Sequence, residues 1–163
     1  MALAVGAVQV AGRALRRHRH DLAVAVRRDV LAHGIGETDD LLAVINEYAS
    51  TGNLSLAGFS FGTFCVTHAM DQLAAKGRNL DADMGRIALI GSAAGKFALA
   101  PIAQELHNRT FVLHAEADDV VTLSAVMDWA RPQSLPVMVV PAGSHFFHGQ
   151  LPLLKNLVLR HLA

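Results

Sequence analysis

The sequence predicts an α/β fold in which a mostly parallel sheet carries helices on both faces. Three observations predict it. Hydrophobic residues make up 52% of the 163 residues and aromatic residues only 6%, a composition that suits strands covered by helices. From residue 34 onward, short apolar runs alternate with segments of helical periodicity. A chain of this length can also bury roughly two-thirds of its unfolded surface, which is enough for one core.

The chain divides into two regions by composition. Residues 1–33 hold six arginines and two aspartates, a net charge of +4, whereas the whole chain balances 14 basic against 14 acidic residues. This atypical N-terminal segment offers at best one strand and one basic turn. Residues 34–163 carry the alternating pattern and form the predicted core.

The core begins with a helix, a strand and a second helix. Thr38 is the expected N-cap of a helix that ends near residues 51–53, because two aspartates follow it and apolar residues then recur at helical spacing. The apolar run 54–59 predicts a buried strand. Residues 61–75 predict the second helix, which Gly77 ends.

The second half repeats the alternation of strands and helices. Strands are predicted over residues 86–91, 110–114 and 137–140. Helices are predicted over residues 123–130 and 151–162, and the last of them has leucines at helical spacing for packing on the sheet. Strands that alternate with helices imply parallel pairing.

Charge and cysteine content limit the function classes. Because basic and acidic residues balance, no overall field favours a nucleic acid or an anionic membrane as partner. The single cysteine, Cys65, excludes an intrachain disulfide, and we expect a cytoplasmic location. The apolar start of the chain is too short to span a bilayer, and its positive charges follow the apolar run, unlike those of a signal peptide.

One motif carries a candidate nucleophile. Gly58-Phe59-Ser60-Phe61-Gly62 matches the G-x-S-x-G pattern between a predicted strand and a predicted helix. A serine there occupies a strained turn that projects its hydroxyl, and the flanking glycines let backbone approach closely. The following helix points its first amides at the serine, so the Phe61 N–H is a candidate oxyanion donor. The alternative is an ordinary glycine-rich turn.

An acid and a histidine follow the next strands. Asp118 comes after the strand at 110–114, with Glu116 and Asp119 as rivals in the same turn, and His145 lies in the loop after the strand at 137–140. Groups at the carboxyl ends of parallel strands gather at one edge of the sheet. The order serine, aspartate, histidine is that of α/β-hydrolases and differs from the orders in chymotrypsin and subtilisin.

Five segments resemble a bacterial family of small dienelactone-hydrolase-like α/β-hydrolases: residues 34–40, 57–62, 114–121, 135–141 and 145–149. The resemblance implies a truncated α/β-hydrolase fold with Ser60, Asp118 and His145 as its catalytic triad. It implies a serine hydrolase that cleaves small carboxyl esters through an acyl-enzyme and needs no cofactor. Ala115 stands where the family has glycine.

The N-terminal segment departs from this family. Family members begin with further strands, an H-P-H-P loop that supplies the second oxyanion donor and an R-x-N-x-R-G stretch, and residues 1–33 contain neither motif. The segment resembles an altered reading frame or a replaced start joined to a hydrolase C-terminus. Without the earlier strands, the edge of strand 54–59 is expected to be unpaired and open to homodimer formation, unless residues 22–26 cover it.

Two other functions stay open on the sequence alone. The chain can be a catalytically weak or inactive remnant that serves as a binding or dimerising module, or a binding protein for a small apolar ligand. His145, His148 and His114 could be proposed as metal ligands, but a serine-histidine pair needs no metal, and we expect none. Cys65 is expected to be a buried hydrophobe. The Phe146-Phe147 pair is expected in the core or in a pocket wall, with stacking on an aromatic substrate as the less favoured interpretation.

Overall fold

A computed structural model describes residues 8–11, 35–50 and 54–163. Within these ranges five strands form one sheet in the order β1-β2-β3-β4-β5. The strands are β1 (Val8–Ala11), β2 (Leu54–Phe59), β3 (Met84–Ile90), β4 (Thr110–Ala115) and β5 (Val137–Val140). Strands β2 to β5 are parallel, and β1 runs antiparallel to β2. The prediction of a mostly parallel sheet is therefore confirmed.

Five α-helices accompany the strands in the described ranges: α1 (Ile35–Tyr48), α2 (Phe61–Ala75), α3 (Leu80–Asp83), α4 (Leu123–Ala130) and α5 (Leu151–Leu162). Two short 3₁₀ helices, Gln104–Arg109 and Arg131–Gln133, precede β4 and follow α4. The predicted bounds of α2, α4, α5, β2 and β5 are confirmed to the residue. None of the described helices is long and apolar enough to cross a membrane.

The apolar core lies on both faces of the sheet, because successive side chains of a strand point to opposite sides. One face packs against α1, α2 and α4, and its strand residues are Leu54, Leu56, Ile87, Leu89 and Val112. The other face packs against α5, and its buried residues are Ala88, Ile90, Leu113, Ala115, Val140 and Phe147. Helices on both faces, as predicted, bury the central strands on each side.

The start of the first helix differs from the prediction. Helix α1 begins at Ile35, so Thr38 lies inside its first turn rather than at the N-cap. The Thr38 side chain is 1% exposed, and it hydrogen-bonds the Cys65 side chain of α2. Packing against α2 therefore uses this threonine, and the polar residues that suggested a cap lie along the helix instead.

The ends of the sheet also differ from the prediction. The edge of β2 is not unpaired, because Val8–Ala11 pairs with it over four residues. The suggestion that residues 22–26 cover this edge lies outside the described residues, and the homodimer stays a prediction. Strand β3 ends at Ile90 and not at Gly91, since Gly91 adopts a left-handed φ of 55°.

His161 joins α5 to the sheet. Its Nε2 atom lies 3.0 Å from the Ile87 carbonyl oxygen of β3 and 3.0 Å from the carbonyl oxygen of Arg109, which precedes β4. The imidazole also stacks on Phe111, with the two ring centroids 5.1 Å apart. Burial lowers the pKa of His161 below its ordinary value of 6.5, so the neutral ring is the form that the fold prefers.

Replacing His161 with leucine should lower the free energy of unfolding by about 1–3 kcal/mol at pH 8, because two carbonyls lose their donor. The unfolded chain binds the His161 proton more readily than the folded protein, so this histidine makes the wild type less stable as the pH falls below 6.5. The difference in free energy of unfolding between the wild type and His161→Leu should therefore be smaller at pH 5 than at pH 8. Urea unfolding at both pH values measures it. The exposed His148→Leu variant is the control, and a difference that stays constant or widens at pH 5 would contradict the prediction.

Candidate active site

The register of the parallel strands brings four loops to one edge of the sheet. Phe59 of β2 lies beside Ile90 of β3, and Ile90 lies beside Leu113 of β4. The carboxyl ends of these strands are therefore level. Ser60 follows β2 directly, and Asp118 and His145 follow β4 and β5 after short loops. This is the edge at which open parallel sheets hold their ligands.

Ser60 occupies a strained turn that neighbouring groups hold in place. Its backbone has φ 52° and ψ −120°, a region that non-glycine residues rarely adopt. The Ser60 N–H donates to the Ile90 carbonyl at 2.8 Å. The Ser60 carbonyl accepts from the Thr63 N–H at 2.9 Å and from the Thr63 hydroxyl at 2.6 Å. The same hydroxyl accepts from the Ala93 N–H at 3.0 Å, so Thr63 ties the turn to the loop after β3.

Gly58 is required by the tightness of the same turn. A Cβ at this position would lie 2.5 Å from the Gly62 carbonyl oxygen and 2.8 Å from the Thr63 nitrogen. Both are backbone atoms, which cannot rotate away as a side chain can. The first glycine of the motif thus lets the start of α2 cross close over β2.

The structure brings Ser60, His145 and Asp118 together. His145 Nδ1 lies 2.7 Å from Asp118 Oδ2, and His145 Nε2 lies 3.0 Å from Ser60 Oγ. The imidazole is 2% exposed and Asp118 is 7% exposed. With Nδ1–H donating to the carboxylate, Nε2 is left as an acceptor for the serine hydroxyl. This arrangement allows the histidine to remove the proton from Ser60 Oγ.

Asp118 is fixed in this position by its own loop. Its Oδ1 accepts from the Val120 and Val121 N–H groups at 2.9 and 2.8 Å, which leaves Oδ2 for His145. The two rival acids lie elsewhere. Glu116 is exposed and accepts from the Ala142 N–H at 2.9 Å, and Asp119 is exposed to solvent.

His114 lies directly beneath Asp118, a place that the sequence did not predict. The His114 side chain is fully buried. Its Nε2 lies 2.9 Å from the Val121 carbonyl oxygen and 3.6 Å from Asp118 Oδ2. Burial lowers the pKa of His114 below 6.5, so a neutral ring donates its Nε2–H to the carbonyl. The sequence feature that could have predicted this contact is the separation of four residues between His114 and Asp118, which lie on either side of a tight turn.

The loop that carries His145 is itself strained. Ala142 and Phe147 have φ values of 53° and 51°, and both are non-glycine residues in the left-handed region. Gln150 closes the loop by donating from Nε2 to the Pro141 carbonyl at 3.1 Å. Phe147 is 1% exposed in the core. The histidine is therefore held between two anchored, unfavourable backbone positions.

The sequence also raised a metal site and a cysteine nucleophile. Within the described ranges, no group of three histidines, cysteines or acids is arranged to hold a metal. Cys65 is buried, and burial, followed by the charge of Glu37, raises the pKa of its thiol to about 11. A thiol with this pKa stays protonated at neutral pH, so Cys65 behaves as the small hydrophobe that was expected.

Comparisons with known proteins agree with this architecture. No protein-family model matches the chain, and no curated protein matches it. Among solved structures, an α/β serine hydrolase without a lid from Xanthomonas campestris is 28% identical with a TM-score of 0.63, and the match covers 85% of this chain and 61% of that chain. An α/β serine hydrolase homologue from Coxiella burnetii is 25% identical with a TM-score of 0.59, and the match covers 86% of this chain and 65% of that chain.

These matches identify the fold. The described residues have the α/β-hydrolase fold in a form that is shorter than these neighbours. The chain spans less than two-thirds of the length of either neighbour, with 61% and 65% of their residues covered.

Replacing Gly58 with alanine should destabilise the protein by about 1–3 kcal/mol, because the new methyl group would overlap backbone at the start of α2. Gly36→Ala is the matched control. That position lies in α1 and has open space around the added atom, so alanine there should be neutral or stabilising by up to about 1 kcal/mol. Chemical denaturation measures both variants, and a Gly58→Ala protein as stable as wild type would refute the packing argument.

Proposed function

We propose that this protein is a serine hydrolase that cleaves small carboxyl esters through an acyl-enzyme. The observation that carries the proposal is the continuous hydrogen-bond chain from Ser60 Oγ through His145 to Asp118, built at the carboxyl edge of a parallel sheet with the serine on a strained turn. The names of the two solved neighbours, both serine hydrolases or homologues of them, support the same class of reaction.

The first half of the proposed reaction forms the acyl-enzyme. His145 Nε2 takes the proton of Ser60, and the serine oxygen forms a bond to the carbonyl carbon of the ester. As the tetrahedral intermediate collapses, the bond from carbon to the alcohol oxygen breaks, and His145 returns the proton to that oxygen. The products of this half are a free alcohol and an acyl group on Ser60.

The second half releases the acid. A water molecule gives a proton to His145 Nε2 and attacks the acyl carbon, and the proton then returns to Ser60 Oγ. Asp118 accepts from His145 Nδ1–H and stabilises the imidazolium. Its second oxygen is already occupied by the Val120 and Val121 amides, so the carboxylate cannot turn away from the ring.

The Phe61 N–H is the proposed donor to the oxyanion. Phe61 is the first residue of α2, so its N–H has no acceptor within the helix and lies at the positive end of the helix dipole. Loss of one oxyanion donor typically lowers kcat by roughly a hundred- to a thousandfold. The family that the sequence resembles takes its second donor from a loop that residues 1–33 lack.

Because residues 1–33 contain no H-P-H-P motif, one alternative function is favoured: a catalytically weak or inactive α/β-hydrolase remnant that serves as a binding or dimerising module. The two proposals differ in turnover but share the same buried histidine and carboxylate. The reactivity of Ser60 in the folded protein distinguishes the two proposals.

A fluorophosphonate probe should label the wild type and should fail to label Ser60→Ala, because the probe reacts with a serine that a histidine activates. Hydrolysis of p-nitrophenyl acetate should be lost in Ser60→Ala, and Asp118→Asn should lower kcat by about 10⁴-fold, since the imidazole loses its orienting acceptor. Gel fluorescence and steady-state rates measure these outcomes.

Ser144→Ala is the matched control for this experiment. Ser144 precedes His145, and its hydroxyl has no hydrogen-bond partner among the described residues, so labelling should persist in that variant. A wild-type protein that is folded by circular dichroism yet neither labelled nor active would favour the binding or dimerising module.

A further inference from the structure

Two phenylalanines flank the ring of His145 at the candidate active site. The Phe59 centroid lies 5.2 Å from the imidazole centroid, tilted by 41°. The Phe146 centroid lies 4.9 Å away on a nearly perpendicular plane, at 82°. The two phenylalanine centroids are 6.1 Å apart. The imidazole thus borders an apolar surface formed by these two rings.

Phe146 differs from its neighbour in its exposure to solvent. Phe147 is buried in the core, whereas Phe146 is 52% exposed. A single exposed hydrophobic residue needs no explanation by itself. Phe146, however, touches the ring that would exchange protons with the substrate, and Phe59 beneath it is only partly buried. A ligand at Ser60 would therefore remove apolar aromatic surface from water.

The direction of proton transfer tells which part of an ester would meet this surface. The alcohol oxygen that leaves must come within about 3 Å of His145 Nε2 to receive its proton. The carbonyl oxygen, by contrast, must point at the Phe61 N–H at the start of α2. The substituent on the leaving oxygen therefore passes beside the imidazole, where Phe146 lies.

We propose that Phe146, together with Phe59, forms the binding surface for the leaving alcohol, and that the enzyme prefers esters of apolar, planar alcohols such as benzyl esters. This inference rests on the proposed serine-hydrolase function. In the step concerned, the ester bond between carbon and alcohol oxygen breaks, the His145 proton moves to that oxygen, and the apolar alcohol departs across the exposed ring of Phe146.

Three esters separate the alcohol side from the acyl side: ethyl acetate, benzyl acetate and ethyl hexanoate. Each variant is compared with the wild type on the same ester, so the intrinsic reactivity of the leaving group cancels. Phe146→Ala should lower kcat/KM for benzyl acetate roughly five- to tenfold, the effect of losing part of an aromatic contact surface. It should change the other two esters less than about twofold.

Two variants serve as controls. Phe146→Leu keeps an apolar side chain and should show a smaller loss with benzyl acetate than Phe146→Ala. Leu153→Ala removes a different exposed apolar side chain, on α5, and should leave all three rates unchanged. Benzyl alcohol as a product inhibitor gives a second readout, and its inhibition constant should rise in Phe146→Ala by a factor similar to the loss of kcat/KM.

An equal loss on all three esters would overturn the inference, because it would mean that Phe146 only sets the position of His145. A loss of kcat/KM in Phe146→Ala with ethyl hexanoate but not with benzyl acetate would also overturn the inference, because it would show that Phe146 contacts the acyl group of the substrate. If Ser60 is labelled by fluorophosphonate and the Phe146 variants behave like Leu153→Ala, this inference alone fails. If folded wild type is neither labelled nor active, the serine-hydrolase proposal fails as well.

Discussion

The level register of β2, β3 and β4 is the constraint on which the rest of the candidate site depends. Because Phe59, Ile90 and Leu113 are neighbours across the sheet, the backbone can continue the pairing beyond the strands. The Ser60 N–H bonds the Ile90 carbonyl, and the Gly91 N–H bonds the Leu113 carbonyl. A slip of one residue in either pair would turn the core side chains to the wrong face, and it would also separate the serine from the loops that carry its partners.

Strain in these loops is offset by contacts that surround it. A non-glycine residue in a sparsely populated backbone region costs of order 1–3 kcal/mol, and Ser60, Ala142 and Phe147 all lie in such a region. At Ser60 the backbone N–H and carbonyl are both engaged, and at Phe147 the side chain is buried in the core. The energy that keeps the serine and the histidine in place therefore comes from the sheet and from its two packed faces.

The sequence predicted most of the regular structure because local periodicity and turn residues determine it. The strand 54–59, the helix 61–75 and the helix 151–162 were predictable on that basis, and the order of strands along the chain made it possible to expect Ser60, Asp118 and His145 at one edge. Their catalytic roles stay predictions. The sequence alone did not predict contacts between residues that are distant along the chain. The Thr63 bridge to Ala93 and the place of His114 beside Asp118 depend on packing between loops. The sequence offered one strand in residues 1–33 but did not locate β1 or its antiparallel pairing with β2.

The two left-handed residues around His145 carry a consequence for how this loop can change in evolution. Glycine at Ala142 would relieve an unfavourable φ of 53°, yet it would also widen the conformations open to the unfolded chain and to the loop itself. Mutations that ease the loop therefore compete with mutations that keep the imidazole aligned. Selection for a relaxed backbone and selection for a fixed imidazole therefore act on this short segment in different directions.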